Sequence, residues 1–337
     1  MAGSADGVIA LAFPEEYKDR VKKINEYLMR SLDIIENKNL KAAMAHYPAA
    51  GGKRLRPLLA TIVSEAVGGK PEAAIPFGAA LEIIHNFTLV HDDVMDEDDT
   101  RRGIRTVHAT YGIPEAILSG DALFARAFEV ALDSDADDTD LVRLVDILAR
   151  SVRLLAEGQQ MDIDFENAKT VTSADYMKMV ELKTAVLYSA AARGGAVIGR
   201  GTDVQEEALA EYGRLIGLGF QIWDDVLDLR SDQQTFGKPV LNDIRNGKKT
   251  LIVVQALEDL HGPEREEFLS VLGKKNAKQQ ELERARDILE NAGAIDHATK
   301  VADGLIAEAK KGLKVVKNQT HKKALSDFAD YLVKRKT

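Results

Sequence analysis

Three aspartates end a long apolar stretch of the chain, in a spacing that could bind a metal ion. They are Asp92, Asp93 and Asp96 in the segment HDDVMD, which follows a mainly apolar run over residues 79–90. On an α-helix of about 3.6 residues per turn, Asp92 and Asp96 share one face, with Asp93 at its margin. Like-charged carboxylates one turn apart repel each other, and a divalent cation would neutralise them. An all-oxygen set suits Mg²⁺, which binds one or two carboxylates together with waters and substrate phosphates.

Two arginines, Arg101 and Arg102, follow these acids in the sequence. A guanidinium group can donate two parallel hydrogen bonds to a phosphate, so the segment contains both parts of a site for a metal-bound phosphate. A single DDxxD motif is also explained by an acidic, solvated helix end followed by a loop. The interpretation therefore depends on what the rest of the chain supplies.

A second DDxxD motif occurs much further along the chain, in the segment GFQIWDDVLDLR. It places Asp224, Asp225 and Asp228 at the end of a helix predicted over residues 206–229, with Gln221 one turn before Asp225. This helix is also too hydrophobic to face water. Two such clusters are hard to explain unless they face each other across shared ions.

Two segments could supply cations for phosphate binding. Residues 50–57 (AGGKRLRP) place Lys53, Arg54 and Arg56 before a helix N-terminus, where backbone N–H groups and the helix dipole favour anions. A basic loop that merely links two helices explains them equally well. Lys183 lies among small residues in ELKTA, and it needs either an acidic partner or a phosphate.

Three further lysines, Lys238, Lys248 and Lys249, follow the second acidic motif in turn-rich sequence. Flexible lysines after a metal site could form a lid that closes over phosphates and excludes water. Solvated surface lysines are the alternative, which is favoured for Lys249 and equally good for the other two.

Helices are predicted to carry all of these residues. Prolines such as Pro14, Pro57 and Pro71 can begin helices, and Gly68 with Gly69 can end one. No alternating run is long enough for a sheet, so the predicted fold class is all-α. We expect a helix to end at Gly158, with residues 159–166 forming a short linker.

Composition narrows the functional classes. The chain has 337 residues, 45% hydrophobic and 29% charged, with a net charge of −9 that argues against nucleic acid as a partner. Cysteine is absent, which excludes disulfides, thiolate metal sites and cysteine nucleophiles. No linker rich in Pro, Gly or Ser divides the chain, so residues 1–337 are expected to form one domain with residues 1–13 loosely ordered. We see no leader or transmembrane segment and expect a cytoplasmic protein.

Taken together, the motifs resemble the polyprenyl synthetase family, the trans-isoprenyl diphosphate synthases. GGKRLRP, HDDVMD with RRG, ELKTA and FQIWDDVLD occur in the family's order and at its spacing, over about residues 45–255. The resemblance implies the isoprenoid synthase fold, a single domain of antiparallel helices around a deep central cavity, usually as a homodimer. It also implies condensation of isopentenyl diphosphate with an allylic diphosphate (dimethylallyl, geranyl or farnesyl).

The resemblance assigns residues to three groups of ligands. Three Mg²⁺ ions, with Mn²⁺ as the alternative, would be held by Asp92, Asp93, Asp96, Asp224, Asp225 and Asp228. The allylic diphosphate would contact Arg101, Lys183, Thr184, Gln221 and Lys238, with Lys248 closing over it. The isopentenyl diphosphate would contact Lys53, Arg56, His85 and Arg102. Catalysis would fall to Asp92, Asp93, Asp96, Arg101, Lys183, Asp224 and Lys238.

The chemistry of such an enzyme agrees with these residue types. Loss of diphosphate from an allylic carbon requires stabilisation of the developing negative charge, which Mg²⁺ and cationic side chains supply. The double bond of isopentenyl diphosphate then attacks the carbocation, and a proton is lost, so no enzymic nucleophile is required. Water must be excluded, because it would quench the cation.

Product length depends on residues upstream of the first aspartate. In the family, an aromatic residue at the position of Phe87 acts as a floor, and a second aromatic after it shortens the product; here Thr88 follows, with Ile84 one turn below. This combination resembles geranylgeranyl (C20) synthases more than farnesyl (C15) ones, and a geranylfarnesyl (C25) product stays open. Arg105 departs from the family pattern and has no assigned role.

Three other functions would each explain part of the sequence. A class I terpene cyclase shares the helical cavity and the metal-driven ionisation, but it has no second diphosphate to bind and leaves GGKRLRP unexplained. A non-catalytic regulatory subunit commonly lacks one acidic motif, whereas both are whole here. An acidic helical scaffold that binds metal incidentally leaves the paired motifs and the basic segments as coincidence.

Overall fold

A computed structural model gives the structure of the protein and describes residues 15–101, 103–230 and 241–334. These residues are almost entirely helical, which confirms the predicted all-α class. They share one hydrophobic core that extends along the chain from Ile24 to Val333. The expectation that residues 1–13 are loosely ordered lies outside the described residues.

The helices follow one another through short connections. Their bounds are α1 Lys18–Ser31, α2 Lys38–Ala49, α3 Leu55–Ala66, α4 Ile75–Met95, α5 Val107–Tyr111, α6 Ile113–Ala131, α7 Asp138–Asn167, α8 Ser173–Val180, α9 Val186–Ile198, α10 Asp203–Arg230, α11 Asn242–Asn246, α12 Leu251–Asp259, α13 Gly262–Val271, α14 Gln279–Asn291, α15 Ala294–Gly312 and α16 Gln319–Lys334. A π-helical turn, Glu181–Ala185, joins α8 to α9, and 3₁₀ turns span Glu15–Tyr17, Pro71–Ala74 and Leu313–Val315.

A small hairpin interrupts the helices after the first acidic motif. Its strands are β1 (Thr100–Arg101) and β2 (Ile104–Arg105), which pair antiparallel. The predicted connector over residues 103–112 therefore contains β2 and the short helix α5. The hairpin turns the chain back immediately after α4 and so keeps Arg101 near the end of that helix.

Helices α4 and α10, which carry the two acidic motifs, lie at the centre of the packing. Helix α4 packs against α1, α3 and α6, whereas α10 packs against α9 and α15. Helices α3 and α9 contact each other and so connect the two. Glycines allow this close approach, because a Cβ on Gly195 would lie 2.3 Å from the carbonyl oxygen of Ala60, and one on Gly213 would lie 2.4 Å from that of Tyr188. The acidic motifs are thus fixed to a closely packed frame.

The most apolar stretch of the described chain is buried in this frame. Residues Pro71–Met95 are long and apolar enough to cross a membrane, but 78% of their most apolar window is buried inside the structure. Burial on nearly all sides explains why α4 is apolar around most of its circumference. The length and composition of α4 are therefore accounted for by its place in the core.

The prediction of a linker over residues 159–166 is wrong, because α7 continues to Asn167. Gly158 was interpreted as a helix end, but it serves close packing: a Cβ there would lie 2.5 Å from the backbone nitrogen of Lys183. Met161 and Phe165 pack against the core and extend the buried side of the helix. Asp162 is consequently held on a rigid element.

Two predicted helix boundaries also differ from the structure. The sequence after Pro14 predicts a first helix that reaches about Glu36, but α1 ends at Ser31, and the Asn37 side chain caps α2 by accepting hydrogen bonds from the backbone N–H groups of Asn39 and Leu40. Helix α3 begins at Leu55, two residues before Pro57. A competing cap explains the first difference, since asparagine favours the N-cap position.

Candidate active site

The first acidic motif occupies the last turn of α4, where its carboxylates differ in exposure. Asp92 is half-buried, Asp93 is fully buried and Asp96 is exposed at the helix end. Asp93 Oδ2 accepts a hydrogen bond from the Tyr47 hydroxyl, and its Oδ1 accepts one from Arg101 Nε at 2.5 Å. Asp93 thereby ties both α2 and the hairpin to the end of α4.

The second motif has a similar arrangement on α10. Asp225 is buried; its Oδ2 accepts a hydrogen bond from the Tyr176 hydroxyl at 2.6 Å, and its Oδ1 accepts one from Gln221 Nε2 at 3.0 Å. The Thr184 hydroxyl donates to Gln221 Oε1 at 3.0 Å. Asp228 Oδ2 accepts from the backbone N–H of Asp243 at 3.2 Å. Asp224 is half-buried beside them.

Lys183 interacts with the first acidic motif, and Lys248 interacts with both motifs. Lys183 Nζ donates to Asp162 Oδ2 at 2.5 Å and lowers the pKa of both Asp92 and Asp96 against the effect of burial. Lys248 Nζ lies 3.8 Å from Asp243 Oδ1. Asp243 makes the largest contribution to raising the pKa of Lys248, whereas burial lowers it.

Further contributions to the raised pKa of Lys248 come from Asp162, Asp225 and Asp96. The charge of Lys248 therefore interacts with Asp96 of the first motif and with Asp225 of the second. The two acidic helix ends face a common space.

The two lysines offset only part of the cost of ionising the buried aspartates. Burial raises the pKa of Asp92 to about 6, although Lys183 lowers it and Asp96 raises it further. Burial and then Asp243 raise the pKa of both Asp225 and Asp228. Ionising these groups together is unfavourable unless further positive charge enters the space.

The donor set fits Mg²⁺. Within residues 15–101, 103–230 and 241–334, no three Asp, Glu or His side chains converge closely enough to hold a metal ion by themselves. Mg²⁺ does not need such a cage, because it keeps waters and shares its coordination between one or two carboxylates and substrate phosphates. Carboxylates on facing walls, with raised pKa values and nearby lysines, suit ions that arrive with a phosphate ligand.

The prediction that Arg54 contributes to an anion site is wrong, because this side chain is buried in protein contacts. It donates to Glu82 Oε1 at 2.8 Å, to Asn25 Oδ1 at 2.7 Å and to the carbonyl oxygen of Pro48 at 2.6 Å. Its backbone has φ +48°, a left-handed conformation at the N-cap of α3. Arg54 therefore anchors the basic loop through protein contacts.

Lys53 and Arg56 flank this anchor and differ from it in exposure. Lys53 is exposed and Arg56 is half-buried, with its guanidinium 4.8 Å from the centre of the Tyr188 ring. Arg56 Nε is buried and has no hydrogen-bond partner among the residues that the structure describes. His85 is half-buried on α4. Arg102 and Lys238 lie outside the described residues, so their roles remain predictions.

The residues predicted to set product length belong to two different environments. Ile84 is fully buried, and the Thr88 hydroxyl donates to the His85 carbonyl oxygen at 2.8 Å. The Phe87 ring centre lies 4.9 Å from that of His91 and 5.5 Å from that of Phe124 on α6. Phe87 thus belongs to an aromatic cluster between α4 and α6.

Four residues of the site had no role in the sequence interpretation: Tyr47, Asp162, Tyr176 and Asp243. Asp162 falls within the predicted linker over residues 159–166. Asp243 begins the segment DIRNGKKT, in which only the lysines have a predicted role. The signal for Asp243 is an acid five residues before Lys248 in a segment that follows an acidic motif. The tyrosines carry no local signal, because only packing brings them to the aspartates.

Comparisons with known proteins identify relatives of the chain. A family model described as "Polyprenyl synthetase" matches residues 37–289. The chain is 45% identical over 321 residues to a geranylgeranyl pyrophosphate synthase of Geoglobus acetivorans, covering 95% of this chain and 98% of that protein. It is 39% identical over 320 residues to a geranylfarnesyl diphosphate synthase of Aeropyrum pernix, covering 93% and 99%. A polyprenyl synthase structure from Caulobacter crescentus, complexed with calcium and isoprenyl diphosphate, superposes with a TM-score of 0.86 at 32% identity, covering 96% of each chain.

Replacing Asp228 with asparagine is expected to stabilise the metal-free protein at high pH. Burial, followed by Asp243, raises the pKa of Asp228 to about 7, so folding favours its protonated form. This contribution is complete below the pKa of an unfolded aspartate, about 4, and is lost as the pH rises through about 7. In EDTA, the melting temperature of the wild-type protein should fall more steeply between about pH 5 and pH 8 than that of Asp228→Asn.

The matched control is Asp135→Asn, which changes an exposed aspartate in the loop before α7. This variant should keep the wild-type dependence on pH. Near pH 8, Asp228→Asn should melt at least about 2 °C higher than the wild type, the shift that roughly 1 kcal/mol gives in a large domain. An identical slope for the wild type and Asp228→Asn would contradict the electrostatic account of the site.

Proposed function

The chain belongs to the polyprenyl synthetase family, and from that membership we propose that it is a Mg²⁺-dependent synthase of short all-trans polyprenyl diphosphates. It is a prenyltransferase that condenses isopentenyl diphosphate with an allylic diphosphate. The observation that carries the proposal is that Asp96 and Asp225, one from each acidic motif, both raise the pKa of Lys248 and therefore lie near it. A diphosphate bound between the two motifs through cations would suit this arrangement.

The aspartates of both motifs would hold Mg²⁺, with Mn²⁺ as the alternative ion. Asp92 and Asp96 are the best candidates in the first motif, because the described residues give their side chains no hydrogen bond. Asp224 and Asp228 are the matching pair, one turn apart on α10. Bound Mg²⁺ supplies Lewis-acid stabilisation of the departing diphosphate. The predicted number of three ions is part of this proposal.

Cationic side chains complete the allylic diphosphate site. Arg101 uses Nε to hold Asp93, so its terminal amino groups can reach a phosphate. Lys183 acts on Asp92 and Asp96, and Lys248 acts on Asp96 and Asp225, so we propose that both donate to the diphosphate as ionisation proceeds. Thr184 and Gln221, which hydrogen bond to each other, line the α10 side. Lys238 is proposed to join them from outside the described residues.

A separate basic group would hold isopentenyl diphosphate. Lys53 and Arg56 flank the buried Arg54 anchor, and His85 and Arg102 are assigned with them by the family resemblance. Arg56 offers a guanidinium with an unused buried Nε. Two distinct cationic groups favour a synthase over a class I terpene cyclase, which has a single diphosphate to bind.

The reaction itself needs positioning and exclusion of water more than it needs a nucleophile. Lys183, Lys248 and Arg101 stabilise the charge that develops on the leaving diphosphate. The carbocation is attacked by the double bond of isopentenyl diphosphate, which Lys53 and Arg56 orient. The proton released afterwards is accepted by the departed diphosphate. We propose that the apolar cavity and the lysine-bearing loops keep bulk water from the cation.

The proposed product is geranylgeranyl diphosphate, C20. The pairing of Phe87 with Thr88 favours it, and a relative named geranylgeranyl pyrophosphate synthase is 45% identical to the chain. The relative named geranylfarnesyl diphosphate synthase, at 39% identity, keeps C25 as the main alternative. Farnesyl diphosphate, C15, is the less favoured product.

Assembly and location complete the proposal. We propose a homodimer, because several of the most exposed large apolar side chains occur together on α6: Ile113, Ile117, Leu118 and Phe124. Clustered exposed apolar residues mark protein–protein contacts. We also propose that residues 1–337 form one domain, which the continuous core supports. The cytoplasmic location remains a prediction.

Purified protein should elongate an allylic primer with labelled isopentenyl diphosphate in the presence of Mg²⁺. Product chromatography is expected to show mainly a C20 diphosphate with dimethylallyl, geranyl or farnesyl primer. Asp92→Ala and Asp224→Ala should each lower turnover by about 10³-fold or more, because loss of metal stabilisation removes several kcal/mol from the transition state. The exposed Asp135→Ala is the control and should keep wild-type turnover.

Absence of elongation with every primer would contradict catalysis and favour the regulatory subunit. Conversion of a primer to a cyclised hydrocarbon, without incorporation of isopentenyl diphosphate, would favour the cyclase. Near-normal turnover in Asp92→Ala or Asp224→Ala would refute the assignment of the acidic motifs.

Shortening Phe87 should lengthen the product. In Phe87→Ala the ring that contacts His91 and Phe124 is lost, and the space it fills becomes available to the growing chain. Chromatography of the products should show a shift from C20 to C25 or longer diphosphates. An unchanged distribution in an active variant would remove Phe87 as the floor.

The α6 surface can be tested through the oligomeric state. Ile117→Glu introduces a charge into the exposed apolar cluster and should convert a dimer into a monomer, measured by light scattering after size-exclusion chromatography. Val204→Glu is the matched control, because Val204 is 71% exposed on α10, apart from this cluster. A dimer that persists in Ile117→Glu would locate the interface elsewhere.

A further inference from the structure

The second aspartate of each DDxxD motif points into the protein. Asp93 and Asp225 are 0% and 7% exposed, and both carboxylate oxygens of each accept hydrogen bonds from protein groups. The Asp93 oxygens accept from Tyr47 and Arg101. The Asp225 oxygens accept from Tyr176 and Gln221. Burial therefore leaves little of either carboxylate accessible to a metal ion.

The two tyrosines occupy equivalent roles from unrelated parts of the chain. Tyr47 lies on α2 and Tyr176 on α8, and their side chains are 6% and 1% exposed. Each donates its hydroxyl hydrogen to Oδ2 of the second aspartate. A buried, acceptor-only carboxylate that faces a tyrosine hydroxyl has a fixed orientation.

Fixing the second aspartate also fixes the first. Adjacent residues on an α-helix point about 100° apart, so the direction in which Asp93 is held determines the direction in which Asp92 leaves α4. The same relation holds for Asp225 and Asp224 on α10. The hydroxyl bonds therefore lock the rotation of both helix ends relative to the space between them.

We propose that Tyr47 and Tyr176 are positioning residues for the metal-binding carboxylates. Their hydroxyls hold Asp93 and Asp225, and this keeps Asp92 and Asp224 aimed at the ions that accompany the diphosphate. The proposal rests on the proposed function. Outer partners of this kind typically affect metal affinity by about 10–100-fold.

A third tyrosine provides a matched control. Tyr212 lies on α10, is 1% exposed and donates its hydroxyl hydrogen to the carbonyl oxygen of Leu325 at 2.6 Å. Tyr212→Phe removes an equally buried hydrogen bond, but this bond reaches α16 and not an aspartate. Any effect shared by all three variants reflects general loss of stability.

The experiment uses calorimetry to measure how tightly inorganic diphosphate binds in the presence of Mg²⁺. The proteins are the full-length wild type and the variants Tyr47→Phe, Tyr176→Phe and Tyr212→Phe. Tyr47→Phe and Tyr176→Phe should weaken binding by about 10–100-fold and raise the Mg²⁺ concentration for half-maximal turnover. The KM for isopentenyl diphosphate should change by less than about twofold, because Lys53 and Arg56 are untouched. Tyr212→Phe should match the wild type in all three measurements.

Wild-type binding in both Tyr47→Phe and Tyr176→Phe would overturn the proposal, and so would an equal loss in Tyr212→Phe. These results leave the proposed function intact, since they concern only the variants. Failure of the wild-type protein itself to bind Mg²⁺ with diphosphate, or to elongate a primer, would instead refute the proposed function.

Discussion

Repulsion among partly buried carboxylates is the constraint on which the site depends. Burial raises the pKa of Asp92 and Asp96 on α4 and of Asp225 and Asp228 on α10, while Lys183 and Lys248 offset part of their charge. Burial makes the ionised state costly, so the site is at its least favourable when ionised and without ligands. Under the proposed function, metal ions that arrive with a diphosphate would offset this cost. Ligand binding would then release electrostatic free energy at the point where a leaving group must be stabilised.

A rigid frame is needed to hold like charges in this way. The contacts of α3, α9 and α10 through glycine are too close for side chains to intervene, and they leave the acidic helices little freedom to separate. Arg54 and Glu82 extend the frame to the basic loop through a buried ion pair at 2.8 Å. Asp93 and Asp225 extend it to α2 and α8. Each acidic motif thus contains one aspartate that is bonded to a buried tyrosine.

The sequence was sufficient for the parts of the site that have local patterns. Carboxylates at helical spacing, as at Asp92 and Asp224, can be recognised because the period of the helix is fixed. Residues whose role arises from packing were missed or misinterpreted. Gly158 has the character of a helix end, but it permits a close contact with the π-helical turn. The segment around Arg54 is typical of an anion site, but Arg54 pairs with Glu82. This partner cannot be recognised from the local pattern, because it lies far away in sequence.

The π-helical turn Glu181–Ala185 has a consequence for how this region can evolve. Its wider turn allows two adjacent residues to reach different helices, Lys183 toward Asp162 on α7 and Thr184 toward Gln221 on α10. Deleting one residue would restore a regular α-helix without turning the helix beyond it, but it would remove the bulge that lets Lys183 and Thr184 reach their present partners. Insertions and deletions should therefore be tolerated in the surface connections and eliminated here, where the number of residues is itself a functional property.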